Sequence, residues 1–365
     1  MLQVAADDRT GALEVAAALA DRGAGGPEGV LVTVWPEVGT ADVCVVDLVS
    51  RHLPPHVAAA RAAGLGLRAP AAHKIDSTLR GNWARELVAR HLTTHMPVML
   101  LPALPALGRV CVGGVVLNAG RPVHEDVGDA RQPVVSSRPA EHLRAVGAMD
   151  VVELALASDI EAWIAAPRGY AVFDASSDAK LEQLVAMWPR DAVLLAGTSA
   201  AIAAAAGGPP APVARRINGP ALVVCGSANP VARRQLAALA GSSTTIAKDA
   251  ASALSALAAH RDTILATPVP DGPVDASRAD AEVARLEAQV SEVAAKAPAL
   301  GAIIVLGGDT AAALLGTAPA RVLGSVAPGT AWLVSPRYRL PVVTRAGGFG
   351  DERALADLLW GTLRS

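Results

Sequence analysis

His73-Lys74-Ile75-Asp76-Ser77-Thr78-Leu79-Arg80-Gly81-Asn82 is the stretch whose reading decides the fold. It gathers an amine, a carboxylate, two hydroxyls, a guanidinium and an amide, with only Ile75 and Leu79 apolar among its larger side chains. The apolar run Ala69–Ala72 precedes it, and Trp83–Arg90, which has helical spacing, follows it. Dense polar chemistry between a strand and a helix is where an α/β protein places its ligand. A capped turn, with Asn82 as N-cap and Asp76 and Ser77 in an Asx-type turn, accounts for part of this content. It leaves Lys74 and Arg80 without a role.

The same grammar recurs on both sides. Met1–Ala5 reads as a strand that ends in Asp7-Asp8-Arg9-Thr10-Gly11, and Ala12–Leu19 reads as a helix. One aspartate as an N-cap would explain one carboxylate but not the pair. Val30–Val34 and Ala41–Val46 are further strands, the second delivering Asp47 and then Ser50-Arg51; Pro54–Ala63 is a helix. Pro97–Leu101 leads into a loop held extended by Pro102 and Pro105, with Arg109 at its end as a candidate anion clamp. Val110–Val123 carries Asn118-Ala119-Gly120 as a hairpin turn. Strand–helix alternation then resumes, predicting a parallel sheet covered on both faces.

Gly207-Gly208-Pro209-Pro210-Ala211-Pro212 is the clearest punctuation, predicting an N-terminal domain over 1–208, a linker over 209–220 and a C-terminal domain over 221–365. In the second half, Ala221–Cys225 delivers Gly226-Ser227-Ala228-Asn229-Pro230, and Ala302–Leu306 delivers Gly307-Gly308-Asp309-Thr310. Leu340–Val343 leads to Arg345-Ala346-Gly347-Gly348-Phe349-Gly350, before a final helix over Glu352–Leu363. Bare amides in glycine loops at helix starts suit phosphate oxygens.

Composition narrows the class. The 365 residues suffice for about two domains, and 52% hydrophobic content makes a buried core easy. A net charge of −2 gives no reason to expect nucleic acid or an anionic membrane as partner. Cys44, Cys111 and Cys225 are scattered in apolar runs and read as reduced buried thiols, and the start of the chain lacks a basic signal-type segment. A cytoplasmic protein is expected, with self-association left open. No P-loop, GxGxxG after the first strand, HExxH, paired CxxC or GxSxG occurs.

Together these motifs resemble the four-carbon acid sugar kinase family along nearly the whole chain. Ala6–Ala12 is similar to ADDLTGA with Arg9 for a leucine, and Lys74–Asn82 matches the signature KIDSTLRGN unchanged. Leu101–Arg109 is similar to PAFPxxGR, and Gly113–Glu125 to the segment that follows it. Gly226–Gln235 is similar to GSxSxxTxxQ, Gly307–Ala311 matches GGDTA, and Arg345–Gly350 is similar to KSGGFG. The resemblance implies two α/β domains, each a mostly parallel sheet flanked by helices, with the active site in the interdomain cleft. It implies ATP and Mg²⁺, and transfer of the γ-phosphate to the terminal hydroxyl of threonate, erythronate or a 3-oxo-tetronate.

By position, the resemblance puts Asp8, Lys74, Asp76, Ser77, Arg51, Arg80 and Arg109 at the acid-sugar site, with Asp7 and Asn82 beside them. It puts Ser227, Gly307, Gly308, Asp309, Thr310, Gly347 and Gly348 at the nucleotide. Asp8 is the first candidate for the base and Asp76 the second, Lys74 for charge on the moving phosphate, and Arg80 or Arg109, with Arg51, for the substrate carboxylate. Asp309 is a candidate magnesium ligand or helix cap, and no metal set is defined. Ala232 stands where the pattern has a hydroxyl, and Arg345-Ala346 where it has Lys-Ser. Those departures motivate a second reading, an acid-sugar sensor without ATP turnover; a nucleotide-binding lyase or isomerase is a third.

Overall fold

The computed structural model describes residues 1–66, 68–126, 133–240, 244–269, 276–348 and 350–364, and divides into two compact units, Met1–Ala211 and Pro212–Ser365. Phe349 of the last glycine motif lies outside the described residues.

The N-terminal unit begins β1 (Leu2–Ala6), α1 (Arg9–Ala20), β2 (Val30–Val34), β3 (Val43–Asp47), α2 (Pro55–Ala63) and β4 (Ala71–Lys74). It continues with α3 (Trp83–Thr94), β5 (Val98–Leu101), and three short strands, β6 (Arg109–Val112), β7 (Val115–Asn118) and β8 (Arg121–Pro122). The short helices α4 (Val123–Asp126) and α5 (Pro139–Ala145) follow. Then come β9 (Val151–Leu154), α6 (Ala157–Ala165), β10 (Tyr170–Phe173), α7 (Asp178–Ala186), β11 (Leu194–Gly197) and α8 (Ser199–Ala204).

The main sheet of this unit has the order β2-β3-β1-β4-β11-β5-β10-β9, and every pairing in it is parallel. Strands buried on both faces are mostly apolar, and β1, β4, β5, β10 and β11 are buried along their whole length, with Gln3, His73 and Lys74 the polar exceptions. Register sets the strand ends level: Ala6 lies opposite both Asp47 and Lys74, and Lys74 opposite Gly197. The loops after β3, β1, β4 and β11 therefore leave the sheet side by side.

The three short strands form a separate antiparallel meander. The expected turn at Ala119-Gly120 is present, with φ of 48° and 84°. A second turn at Gly113-Gly114, both at positive φ, splits what the sequence reads as one ribbon.

The C-terminal unit runs β12 (Ala221–Cys225), α9 (Pro230–Ala240), β13 (Thr245–Ala247), α10 (Ala250–Ala258), β14 (Thr263–Ala266) and α11 (Ala276–Lys296). Next are β15 (Ala302–Leu306), α12 (Gly308–Leu315), β16 (Ala320–Gly324), β17 (Thr330–Ser335) and β18 (Tyr338–Arg345). Its strand order is β13-β14-β12-β15-β18-β17-β16, parallel except at β18/β17 and β17/β16. Register again levels the ends: Leu306 lies opposite Cys225 and Arg345. The last helix is one α turn, Ala354–Ala356, passing into a π turn over Asp357–Thr362, which packs Leu355, Leu358, Leu359 and Leu363 onto the core around Val223 and Ile304. Among the described residues no helix is long and apolar enough to cross a membrane.

A buried ion pair sits at the end of β3. Arg9 Nε donates to Asp47 Oδ2 at 2.9 Å, with both side chains nearly sealed from solvent. Burial nonetheless outweighs Arg9 and raises the Asp47 carboxyl from 3.8 to about 6. The native state holds this proton where the unfolded chain has released it. The contribution is therefore fully present below pH 3.8 and is lost as pH rises through about 6. Comparing urea unfolding of wild type and Asp47→Asn between pH 4 and 7 is expected to show this falling component in the wild type only. Parallel curves for the two proteins would refute it.

Candidate active site

In the N-terminal sheet, β1 is where strand order reverses: β3 pairs on one side and β4 on the other. Loops diverging from such a switch point open a crevice at the carboxyl ends. Asp7 and Asp8 leave β1, Arg51 follows β3, and Lys74 to Asn82 leaves β4. The structure thus brings together every residue the sequence assigns to the acid-sugar site from these three loops.

Arg51 is the hub. Its Nε and Nη2 bind the two oxygens of Asp7, each at 2.8 Å, its Nη1 binds Asp8 Oδ2 at 2.5 Å, and Nη2 lies 3.6 Å from Asp76. The three carboxylates hold its guanidinium well above the usual arginine range against burial. Two residues placed at the acid-sugar site by the resemblance, Asp7 and Arg51, are bound to each other. Asp7 is fully buried with both oxygens on Arg51, so it orients that arginine. All three guanidinium nitrogens of Arg51 bind the aspartates, for which it is the counter-ion. Gly81, at φ +91°, allows the approach, since a Cβ there would stand 2.7 Å from Asp7 Oδ2.

Asp8 occupies the N-cap of α1. Its Oδ1 accepts from the Gly11 amide at 2.7 Å, leaving Oδ2 toward Arg51. The first candidate for the base is thus also a helix cap. Burial raises the Asp8 carboxyl above its ordinary value; Arg51 opposes, Asp7 adds to the rise, and Lys74 opposes weakly.

Asp76 has the opposite environment. Burial works against its charge, but Arg80 and then Arg51 outweigh it and hold the carboxyl well below the usual range. Arg80 grips it with Nε at 3.0 Å and Nη2 at 2.9 Å. The Thr78 amide and hydroxyl and the Arg80 amide also donate to Oδ2, so Asp76 is the acceptor of an Asx-type turn. Leu79 adopts φ +64°, a left-handed conformation costly for a branched residue, to close that turn.

Lys74 is buried and donates to the Ile75 carbonyl at 2.7 Å, and among the described residues it makes no ion pair. Its ammonium lies over α1's first turn: a Cβ on Gly11 would stand 3.7 Å from Lys74 Nζ and 2.7 Å from Asp8 Oδ1. Arg109, from the start of β6, donates to Ser77 Oγ at 3.0 Å, and burial lowers its guanidinium. Arg80 keeps about a third of its side chain exposed, 34%. Asn82 departs from expectation. It stands at the N-cap position of α3 but makes no side-chain cap bond; its amide donates to the carbonyls of Ser50 at 2.8 Å and Leu53 at 2.9 Å. Asn82 therefore fastens the Arg51 loop.

Sequence reasoning missed Thr78, Gly11, and the buried Ser50–Glu86–His73 chain beneath the loops. Glu86 sits one turn into α3, where the 3.6-residue pattern places a core position, and that is the only sequence signal it carries.

In the C-terminal unit the three glycine loops converge. A Cβ on Gly347 would stand 2.9 Å from Ser227 Oγ, one on Gly307 3.1 Å from Ser227 Cβ, and one on Gly348 3.3 Å from Asn229 Nδ2. Gly226 N donates to Thr310 Oγ1 at 3.1 Å, and Gly307 N to the Arg345 carbonyl at 2.9 Å. The N-cap of α12 is Gly307, at φ +104°, so Asp309 lies inside the first turn and is not the cap. Amides of that turn have no partner within the helix, which suits anionic oxygens. Arg233 of α9, another residue not foreseen, binds the Ser227 carbonyl through Nε and the Thr267 carbonyl through Nη1, both at 2.7 Å. Among the described residues no cluster of His, Cys, Asp and Glu is placed to hold a metal.

Comparison with known proteins gives the two halves of the chain their class. A model for a sugar-binding N-terminal domain matches residues 2–206, and one for a nucleotide-binding C-terminal domain matches 222–355. Three curated D-threonate kinases are each 30% identical to the chain. The protein from Salmonella typhimurium aligns over 98% of this chain and 97% of its own; those from Bordetella bronchiseptica and Cupriavidus necator over 96% and 95%. Solved structures from Salmonella typhimurium LT2 (TM-score 0.76, 22% identity, 99% of both chains) and Haemophilus influenzae (0.71, 20%, 98% of both) share the fold. The protein is a carbohydrate kinase. More narrowly, the chain belongs to the four-carbon acid sugar kinase family.

Proposed function

We propose that this enzyme transfers the γ-phosphate of ATP to the terminal hydroxyl of a four-carbon acid sugar, with D-threonate the first candidate acceptor. The N-terminal unit would hold the acid and the C-terminal unit the nucleotide. One observation carries the assignment of roles: the two candidate carboxylates have been driven apart, Asp8 upward and Asp76 downward. A general base needs proton affinity near the working pH, and a carboxylate held ionised by two arginines has little. Asp8 therefore takes the proton of the attacking hydroxyl, and Asp76 keeps Arg80 in place.

Arg80 and Arg109, the latter already bonded to the Ser77 hydroxyl, receive the acceptor's carboxylate by charge-assisted hydrogen bonds. Lys74, near Asp8, offsets negative charge on the phosphoryl group as it arrives. Ser227, Gly307, Gly308, Thr310, Gly347 and Gly348 cradle the phosphates. Asp309 and the first turn of α12 offer hard oxygen and amide groups of the kind that suit a nucleotide carrying Mg²⁺, an ion that keeps several water ligands. When bound, Mg²⁺ neutralises charge on the β- and γ-phosphates.

An ADP-release assay across the threonates, erythronates and their oxo forms tests the reading. ATP-dependent ADP release with one four-carbon acid supports it. Binding of an acid by calorimetry with no ADP release from any would establish the sensor reading instead. Within the nucleotide cradle, Gly347→Ala drives a methyl onto Ser227 Oγ. The KM for ATP is expected to rise about tenfold or more, equivalent to about 1.4 kcal/mol, with the acceptor KM unchanged. Equal rises in both constants would contradict that placement.

A further inference from the structure

Beneath the acid-sugar loops lies a carboxylate that no part of the proposed chemistry uses. Glu86 is fully buried on α3, and its two oxygens reach two different segments. Oε1 accepts from Ser50 Oγ at 2.5 Å, and Oε2 pairs with His73 Nε2 at 2.9 Å. Ser50 immediately precedes Arg51, the hub of the aspartates, and His73 immediately precedes Lys74. Both partners are themselves sealed from solvent. With Nε2 donating to Glu86, the imidazole is held in one orientation; its Nδ1 has no hydrogen-bond partner among the described residues. Arg90, one turn further along α3, is also buried, donates to the Ala72 carbonyl at 2.8 Å, and interacts electrostatically with Glu86; burial lowers it to about 10.

A buried carboxylate is costly, and an apolar side chain would pack this position at less cost. Its two oxygens do what an apolar side chain cannot: they lock the loops after β3 and β4 to the same point on one helix. We propose that Glu86 is the positioning residue of the acceptor site, setting the aim of Arg51 through Ser50 and of Lys74 through His73. Arg51 in turn holds Asp8, so a small displacement at Glu86 reaches the base and the phosphate-facing lysine together. The effect on rate is large when reacting groups shift by about an ångström, on the order of 10²-fold.

This inference rests on the proposed kinase chemistry, so its test has one readout that depends on turnover and one that does not. In Glu86→Ala, kcat per folded molecule with D-threonate and MgATP is expected to fall about 10²-fold with the ATP KM within twofold of wild type. Amide hydrogen exchange is expected to accelerate at least about tenfold at Ser50–Leu53 and Ile75–Arg80, and not in β5, β10 or the C-terminal unit. Glu86→Gln, which keeps the shape and one acceptor, is expected to recover most of both. Ser50→Ala, a smaller change that serves if Glu86→Ala does not fold, is expected to loosen only the Arg51 loop. Unchanged exchange in both loops in folded Glu86→Ala would overturn the proposal, as would wild-type kcat per folded molecule in that variant beside a lowered melting temperature. Should the wild type turn over no four-carbon acid, the kinase reading fails by itself, and exchange still decides whether Glu86 couples the two loops.

Discussion

Asp8→Asn is expected to lower kcat by about 10²–10⁴-fold, the usual contribution of a general base, while leaving the fold and the nucleotide site intact. The choice of asparagine separates chemistry from structure. Asp8 caps α1 through the Gly11 amide, and asparagine caps about as well as aspartate, so the helix start survives. Arg51 loses one partner but keeps both oxygens of Asp7. Burial already disfavours the Asp8 charge, so an uncharged amide relieves part of that strain. Kinetics should show kcat and kcat/KM for the acid falling together with the ATP KM unchanged, the pattern of a group that acts in the transition state. A loss of less than tenfold would remove Asp8 from the role of base. A parallel loss of ATP affinity would contradict the assignment of the two ligands to separate units.

Asp76→Ala is expected to be the most destabilising single change at the site. It removes the shared anion of Arg80 and Arg51 and strands the Thr78 hydroxyl and amide. Breaking a buried pair from one side costs about 3–5 kcal/mol; Arg80's exposure to solvent screens part of this, so about 2–4 kcal/mol is expected. The pH dependence identifies the cause. A carboxyl held below its unfolded value of 3.8 contributes stability above that pH, and the contribution is lost as pH falls through the folded value. Urea unfolding should therefore find the deficit of Asp76→Ala largest near neutrality and shrinking below about pH 4. A deficit that stays constant with pH would assign it to packing instead of charge.

Much of the fold was legible because its strands are buried on both faces. Leu2–Ala6, Tyr170–Phe173 and Ala302–Leu306 are short apolar runs ending in polar or glycine loops, a pattern with one physical meaning in a parallel sheet. Thr245–Ala247, Ala250–Ala258 and Thr263–Ala266 were not read as elements, because an alanine-rich stretch offers neither period clearly. The antiparallel strands Ala320–Gly324 and Thr330–Ser335 were also missed; the glycine and proline between them read as loop.

The site divides along a similar line. Which residues gather was decided by sequence, since loops at adjacent strand ends must meet once β1, β3 and β4 pair in register. What each residue does there was not. Asp7, Arg51 and Asn82 carry the same side chains whatever they bind, and only their packing joins Asp7 to Arg51 and Asn82 to the carbonyls of Ser50 and Leu53.

The stretch from His73 to Asn82, read alone, established a polar loop between strand and helix and, together with the other motifs, a resemblance to the family. Tertiary structure decided the rest of its meaning. It turned Asn82 from a helix cap into a fastener for the Arg51 loop, gave Arg80 to Asp76, and joined His73 to Glu86 and Ser50. It also drove Asp8 and Asp76 apart. A proton affinity depends on burial and on neighbouring charge, and both come from parts of the chain far from the residue in sequence.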